Sequence, residues 1–187
     1  YADGAGGTGT MTTAGVNTMF VLLSQHLVRA ETPYARLRGV SSRGRAVEDI
    51  DRVIAAAEHG LAWLSERELL TGGPYQIFGL ERLGVASGRK FIGTTDWYRA
   101  GVESIPPESG RVVDDAFRLL FLTYGRAPVL IGKLRYGDGE DWNNYYRDLH
   151  FLTSYLSAQH ERIYKWQVVS ADSPLHDLLD APILLIS

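Results

Sequence analysis

The chain has 187 residues, 45% of them hydrophobic and 22% charged, with a net charge of −3 and no cysteine. This is the composition of an ordinary globular chain of one or two small domains, not of a disordered tail, a collagen or a disulfide scaffold. Without cysteine there is no thiol nucleophile, iron–sulfur cluster or cysteine zinc site, and the weak negative charge gives no field that would gather nucleic acid or an anionic membrane.

Tyr1-Ala2-Asp3-Gly4 carries no signal-peptide pattern. Gly4-x-Gly6-x-x-Gly9 matches the dinucleotide fingerprint as a string, but that motif needs a strand before it to aim a helix N-terminus at a pyrophosphate. Only three residues precede Gly4, so the segment reads as a glycine linker. Three stripes at the 3.6-residue period follow along residues 1–127. Val16, Met19, Phe20, Leu23 and Leu27 form the first, with Thr10 or Thr12 as a cap. Val47, Ile50, Ile54, Ala57, Leu61 and Leu64 form the second, and Val113, Ala116, Phe117, Leu120, Phe121 and Tyr124 the third. Two shorter helices are predicted over 74–86 and 94–105, with Asp96 where a helix dipole favours an acid. Gly72-Gly73-Pro74 and Pro106-Pro107 break the run. Amphipathic helices in series, with short links and no strands, predict helix-on-helix packing.

Within this part, the basic stretch from Arg29 to Arg45 reads as a solvated loop between helices, with an anion or RNA contact as the sharper alternative. Asp114-Asp115 satisfies a helix dipole, and a metal–diphosphate site would want a third acid where Arg118 stands. His26, His59, His150, His160 and His176 lack metal spacing and read as surface or packing residues.

From residue 128 the pattern changes. Strands are expected over 129–136, 163–169 and 183–186. The helices between them are one marked by Tyr145, Leu149, Leu152 and Leu156, and a short one over 174–179 capped by Ser173. The links are too long for hairpins, so the strands are predicted to be parallel. Three strands and two helices are the first half of such a domain. The apolar ending Pro182 to Ile186 therefore suggests a fragment, cut at both ends. No run of 18 apolar residues is present, so no segment spans a membrane, and the compartment stays unassigned.

The loop Asp138-Gly139-Glu140-Asp141-Trp142-Asn143-Asn144 follows the first strand, where parallel sheets carry their ligand loops. It reads either as a polar turn with Trp142 over the sheet edge, or as a ligand rim made by Asp138, Asp141, Trp142 and Asn143.

Gly9-Thr10-Met11-Thr12-Thr13-Ala14-Gly15-Val16, Gly60-Leu61-Ala62-Trp63-Leu64, Leu80-Glu81-Arg82-Leu83-Gly84, Asp96-Trp97-Tyr98 and Asp115-Ala116-Phe117 resemble bacterial proteins with prenyltransferase/squalene-cyclase-like repeats. That resemblance implies an α/α toroid over residues 1–127. Lys133-Leu134-Arg135-Tyr136, Asp141-Trp142-Asn143, Trp166-Gln167-Val168-Val169 and Ala181-Pro182-Ile183-Leu184 resemble a bacterial domain of unknown function, similar in fold to class I glutamine amidotransferases, over residues 128–187. The two occur in this order in the family.

The family's motifs are incomplete here. There is no Asp-x-Asp-Asp, the Asp-Asp-x-x-Asp pattern ends on Arg118, and Ser109-Gly110-Arg111 replaces the Gly-x-Trp of the repeat. An amidotransferase nucleophile would fall beyond Ser187. No catalytic, cofactor or metal residue is therefore assigned, no cofactor is expected, and the partner is unknown. The expected role is binding or scaffolding. The alternatives are a terpenoid-cyclase-like or amidotransferase-like enzyme whose motif lies outside this segment.

Overall fold

The computed structural model describes residues 8–31, 43–106, 110–139, 141–143 and 147–186. Among the described residues five helices come first: α1 (Gly9–Glu31), α2 (Arg43–Ser65), α3 (Gly73–Ser87), α4 (Trp97–Glu103) and α5 (Val112–Gly125). A two-residue ladder, β1 (Phe91–Ile92) with β2 (Thr95–Asp96), interrupts them. Then follow β3 (Val129–Arg135), a 3-10 turn (Asp141–Asn143), α6 (Asp148–His160), β4 (Tyr164–Ser170), α7 (Leu175–Leu178) and β5 (Ile183–Leu185).

The first two stripes are core. Val16, Phe20 and Leu23 of α1 meet Ala57, Leu61 and Leu64 of α2 and Ile77, Leu80 and Leu83 of α3, all buried, with Met19, Ile50 and Ile54 packed around them. The side chains of Leu27 and Val47 lie outside the described residues. The third stripe is corrected. Only Phe121 of α5 is fully buried, while Val113 is 61% and Leu120 36% exposed. Among the described residues α5 is held by rings on α3 and α4 rather than by a whole face: Phe117 lies against Tyr75 and Phe78, and Phe121 against Trp97 and Tyr98.

Three local expectations also change. The helix predicted from residue 94 starts at Trp97, because Gly93 takes a left-handed turn (φ 63°) and Asp96 caps the helix by accepting from the Arg99 N–H at 3.0 Å. The antiparallel ladder that results places strand pairing in a part expected to have none. Helix α1 begins one turn early, with the Thr8 hydroxyl rather than Thr10 or Thr12 accepting from Met11 N–H at 3.3 Å. Helix α7 has no side-chain cap from Ser173, and the Pro174 carbonyl receives the Asp177 N–H at 2.9 Å instead.

The sheet is parallel, in the order β4-β3-β5. Val129 to Arg135 pair with Tyr164 to Ser170, and Ile131 to Lys133 with Ile183 to Leu185. The outer edge of β4 is covered by the end of α3: Val168 N–H donates to the Gly88 carbonyl at 2.6 Å, and Arg89 bridges Val168 in parallel. Gly88 has φ 69°, and the Trp166 ring sits where a Cβ would project. Only glycine fits that corner. The chain is thus helical first and α/β second, and the two parts touch along β4. Among the described residues no helix is long and apolar enough to cross a membrane.

Candidate functional site

Because β3 lies between β4 and β5, the chain leaves it to one side for β4 and crosses to the other for β5. A crevice opens at the carboxyl ends of strands at such a switch point, and ligands of parallel sheets bind there. Here a cavity of about 970 Å3 opens in that place. On the sheet side Lys133, Asp138, Trp142, Asn143, Trp166 and Ser170 line it, and on the helical side Phe20, Ile54, Glu58, Arg89 and Phe91.

Lys133 organises the sheet side. Its side chain is 1% exposed in the central strand. Its ammonium donates to both Asp148 carboxylate oxygens at 2.9 Å and to the Asn143 side-chain oxygen at 3.2 Å. An ammonium has three donors, so all of Lys133's are used. The Trp142 ring centroid lies 5.7 Å from the same nitrogen, within cation–π range. Asp148 opens α6 and also receives the Leu149 N–H at 2.7 Å. A single buried cation therefore pins the 3-10 turn and the start of α6 onto β3. Leaving it unpaired there would be costly, and these partners offset that.

The predicted rim is thus resolved into roles. Asn143 and Trp142 meet at Lys133, and Asp138 is exposed on the cavity wall. Asp141 starts the 3-10 turn and its side chain lies outside the described residues, as do Glu140 and Asn144. Trp142 stands over the middle strand, not over the sheet edge, because β3 is central. Lys133 itself was not singled out from the sequence. Its signal was a lysine inside the apolar run Val129 to Leu134, a place where a charge survives only with partners.

The opposite wall is also charged. Arg89 donates to Glu58 at 2.5 Å across it. Arg147 closes the far corner with its backbone at φ 64°. Its guanidinium donates to the Ala86 carbonyl at 2.8 Å and to the Ser24 hydroxyl at 3.0 Å. Next to it, burial and then the Arg147 charge push the His150 imidazole down to about 4, so it is neutral at physiological pH.

Other candidates do not converge here. Asp114 and Asp115 of α5 pair with Arg111, just before the helix, and with Arg118 on it. The basic stretch 29–45 falls largely outside the described residues, as does the start of the Gly4–Gly9 string. Among the described residues no group of three His, Asp or Glu is placed to hold a metal ion. No protein-family model, no curated protein and no solved structure matches the chain.

Proposed function

We propose that the chain is a binding module whose ligand occupies the cleft between the helical layer and the carboxyl edge of the sheet. The observation that carries this reading is the 970 Å3 cavity at the switch point, walled by both parts of the chain. Its chemistry selects the ligand class. Phe91, Trp142 and Trp166 offer flat apolar faces, while Arg135, Asp138, Ser170 and Asp172 offer hydrogen bonds at the lip. A small polar molecule bearing a planar group suits that combination. Lys133 serves as a positioning residue, since its donors are already occupied.

The helical part is of the α/α toroid type of the prenyltransferase/squalene-cyclase-like repeats, and the sheet of the amidotransferase-like type. The order of the two parts and the parallel β4-β3-β5 sheet support that likeness.

The test is a thermal-shift screen with nucleosides, aromatic amino acids and short peptides, repeated on Asp141→Ala/Trp142→Ala. A ligand that raises the melting temperature of the parent chain should lose at least tenfold in affinity in the double variant. Because Trp142 lies over the buried Lys133 ammonium, both unliganded melts are recorded and the affinities compared at a temperature where circular dichroism shows both chains folded. Equal affinity in both chains would remove the rim from the site.

A further inference from the structure

The chain contains only three lysines, at 90, 133 and 165. Two are consumed by carboxylates: Lys90 by Asp177 and Asp180, and Lys133 by Asp148. Lys165 differs. Its nitrogen is buried and has no hydrogen-bond partner among the described residues. Gln167, two residues along the same face of β4, also buries its side-chain nitrogen with no acceptor. Both line a second cavity, of about 280 Å3, walled by Trp97, Tyr98, Val102 and Leu130. Residues on the other face of β4, Val168 and Ser170, line the larger cleft. The two cavities share Arg89, Lys90 and Trp166 in their walls, but Lys165 and Gln167 line the smaller one alone, so this inference does not rest on the reading above.

Native chains leave few buried donors unsatisfied, and each one needs a cause. A desolvated lysine with no carboxylate bonded to it, beside the rings of Trp97 and Tyr98 in a cavity that Asp96, Glu103 and Asp180 also line, is placed as nucleophilic amines are. We propose that Lys165 is a reactive amine that captures a small aldehyde as an imine in this cavity, with Gln167 donating to the substrate. The neutral amine attacks the carbonyl carbon. A C–N bond forms as the C=O π pair moves to oxygen, and a proton passes from the nitrogen to that oxygen to give the carbinolamine. Loss of the second N–H proton with the hydroxyl expels water and leaves C=N. The balance is amine plus aldehyde to imine plus water, with no change of oxidation state.

The electrostatics agree with this geometry. Burial holds the Lys165 amine below the usual lysine range. The Glu81 carboxylate opposes that, and the Arg82 charge adds to it. Glu81 is itself fully buried, with one carboxylate oxygen on Arg82 and the other without a partner, and burial raises it above the usual carboxylate range. A buried carboxyl held above its usual range keeps its proton more readily than an exposed one and can give it to the departing hydroxyl. The cavity admits about one aromatic ring or a short aliphatic chain.

Benzaldehyde with sodium cyanoborohydride reads this out, because hydride reduces the imine to a stable benzylamine that peptide mass spectrometry locates. The α-amine resolves as a separate peptide, and Lys90 and Lys133 are internal controls. At pH 8 the folded chain should label Lys165 at least tenfold faster than either control. The rate should saturate with benzaldehyde concentration and reach half-maximum below the ordinary lysine value of 10.5. Lys165→Arg should keep the circular-dichroism melt and lose the label. A smaller preference, a rate linear in benzaldehyde, or labelling of Lys165 only after urea unfolding would each overturn the proposal.

Discussion

Replacing Lys90 by methionine removes the one cation that three acids share. The Lys90 side chain is 4% exposed; it lies 2.7 Å from Asp177, bonds Asp180, and comes to 3.9 Å from Asp96. The three acids are not equally vulnerable. Asp180 is 34% and Asp96 18% exposed, so water can solvate them, but Asp177 is 6% exposed. It is the carboxylate that Lys90→Met strands, with the exposed His176 imidazole left beside it at 3.4 Å. Removing one partner of a buried pair costs about 3–5 kcal/mol, which for a chain of this size lowers Tm by roughly 6–20 °C. The double variant Lys90→Met/Asp177→Leu removes the stranded charge as well and should recover most of the loss, since apolar replacement of a buried pair is often neutral. The pH dependence carries the same information. The hydrogen bond from Lys90 holds Asp177 below its ordinary 3.8, against the opposing effect of burial. Its contribution is therefore complete above pH 3.8 and is lost as pH falls through the lowered value. Burial disfavours the Lys90 charge, but the bonds to Asp177 and Asp180 outweigh it and hold the amine above 10.5. Its contribution is full below pH 10.5 and is lost as pH rises beyond that. Differential scanning calorimetry across pH checks both limbs. A Lys90→Met chain that melts within about 2 °C of the parent, or a double variant less stable than the single one, would refute the reasoning.

Two further outcomes follow from single residues. His150 is held down to about 4 against an ordinary 6.5, so below pH 6.5 the unfolded chain takes up the proton first and stability falls until about pH 4; His150→Gln should flatten the urea-midpoint profile across that interval, and an unchanged slope would deny the burial effect. Gly88→Ala puts a Cβ on a left-handed residue beneath the Trp166 ring, which costs about 1–2 kcal/mol for the backbone alone; a urea midpoint equal to the parent's would show that this corner is not constrained.

The helices of the first part were legible wherever one face was apolar and the other polar, as in Val16 to Leu23 and Ile54 to Leu64. The period of burial there is the period of the helix. The same logic overreached on α5, because an apolar stripe states what a helix can bury and not whether anything meets it. Val113 and Leu120 stay exposed for that reason. The parallel strands were legible from link length, which forbids hairpins. The β1–β2 ladder was not, because two residues per strand leave no alternation to read, and only Gly93's left-handed turn closes it. At the candidate site, Trp142 and Asn143 could be placed from their position after the first strand. Their partner Lys133 could not, since a lysine in an apolar strand reads equally as a solvated edge until the strand is known to be central. Lys165 was invisible for a related cause. Whether an amine has a carboxylate beside it is a property of tertiary packing, and the acids that serve Lys90 and Lys133 are 87 and 15 residues away in sequence.

The contacts between the helical part and the sheet explain why the cleft has a defined shape. Apolar packing is non-directional and would tolerate sliding of one layer on the other. Three polar ties do not. Arg147 reaches from the loop before α6 to Ala86 and Ser24, lying between the Phe20 and Trp166 rings at 5.3 and 5.9 Å. Val168 bonds the Gly88 carbonyl, and Lys90 joins the end of α3 to Asp177 on α7. Each tie spends buried polarity that a purely apolar interface would avoid. In return, each is satisfied in only one relative placement of α3 and the sheet. Phe20, Trp166 and Arg147 belong both to these ties and to the cavity wall, so the distance across the cleft is set by the same atoms that dock the two parts. A ligand that bridges the cleft would then stabilise the docked arrangement, and a change at Ala86 or Ser24 would reach the site without touching the ligand.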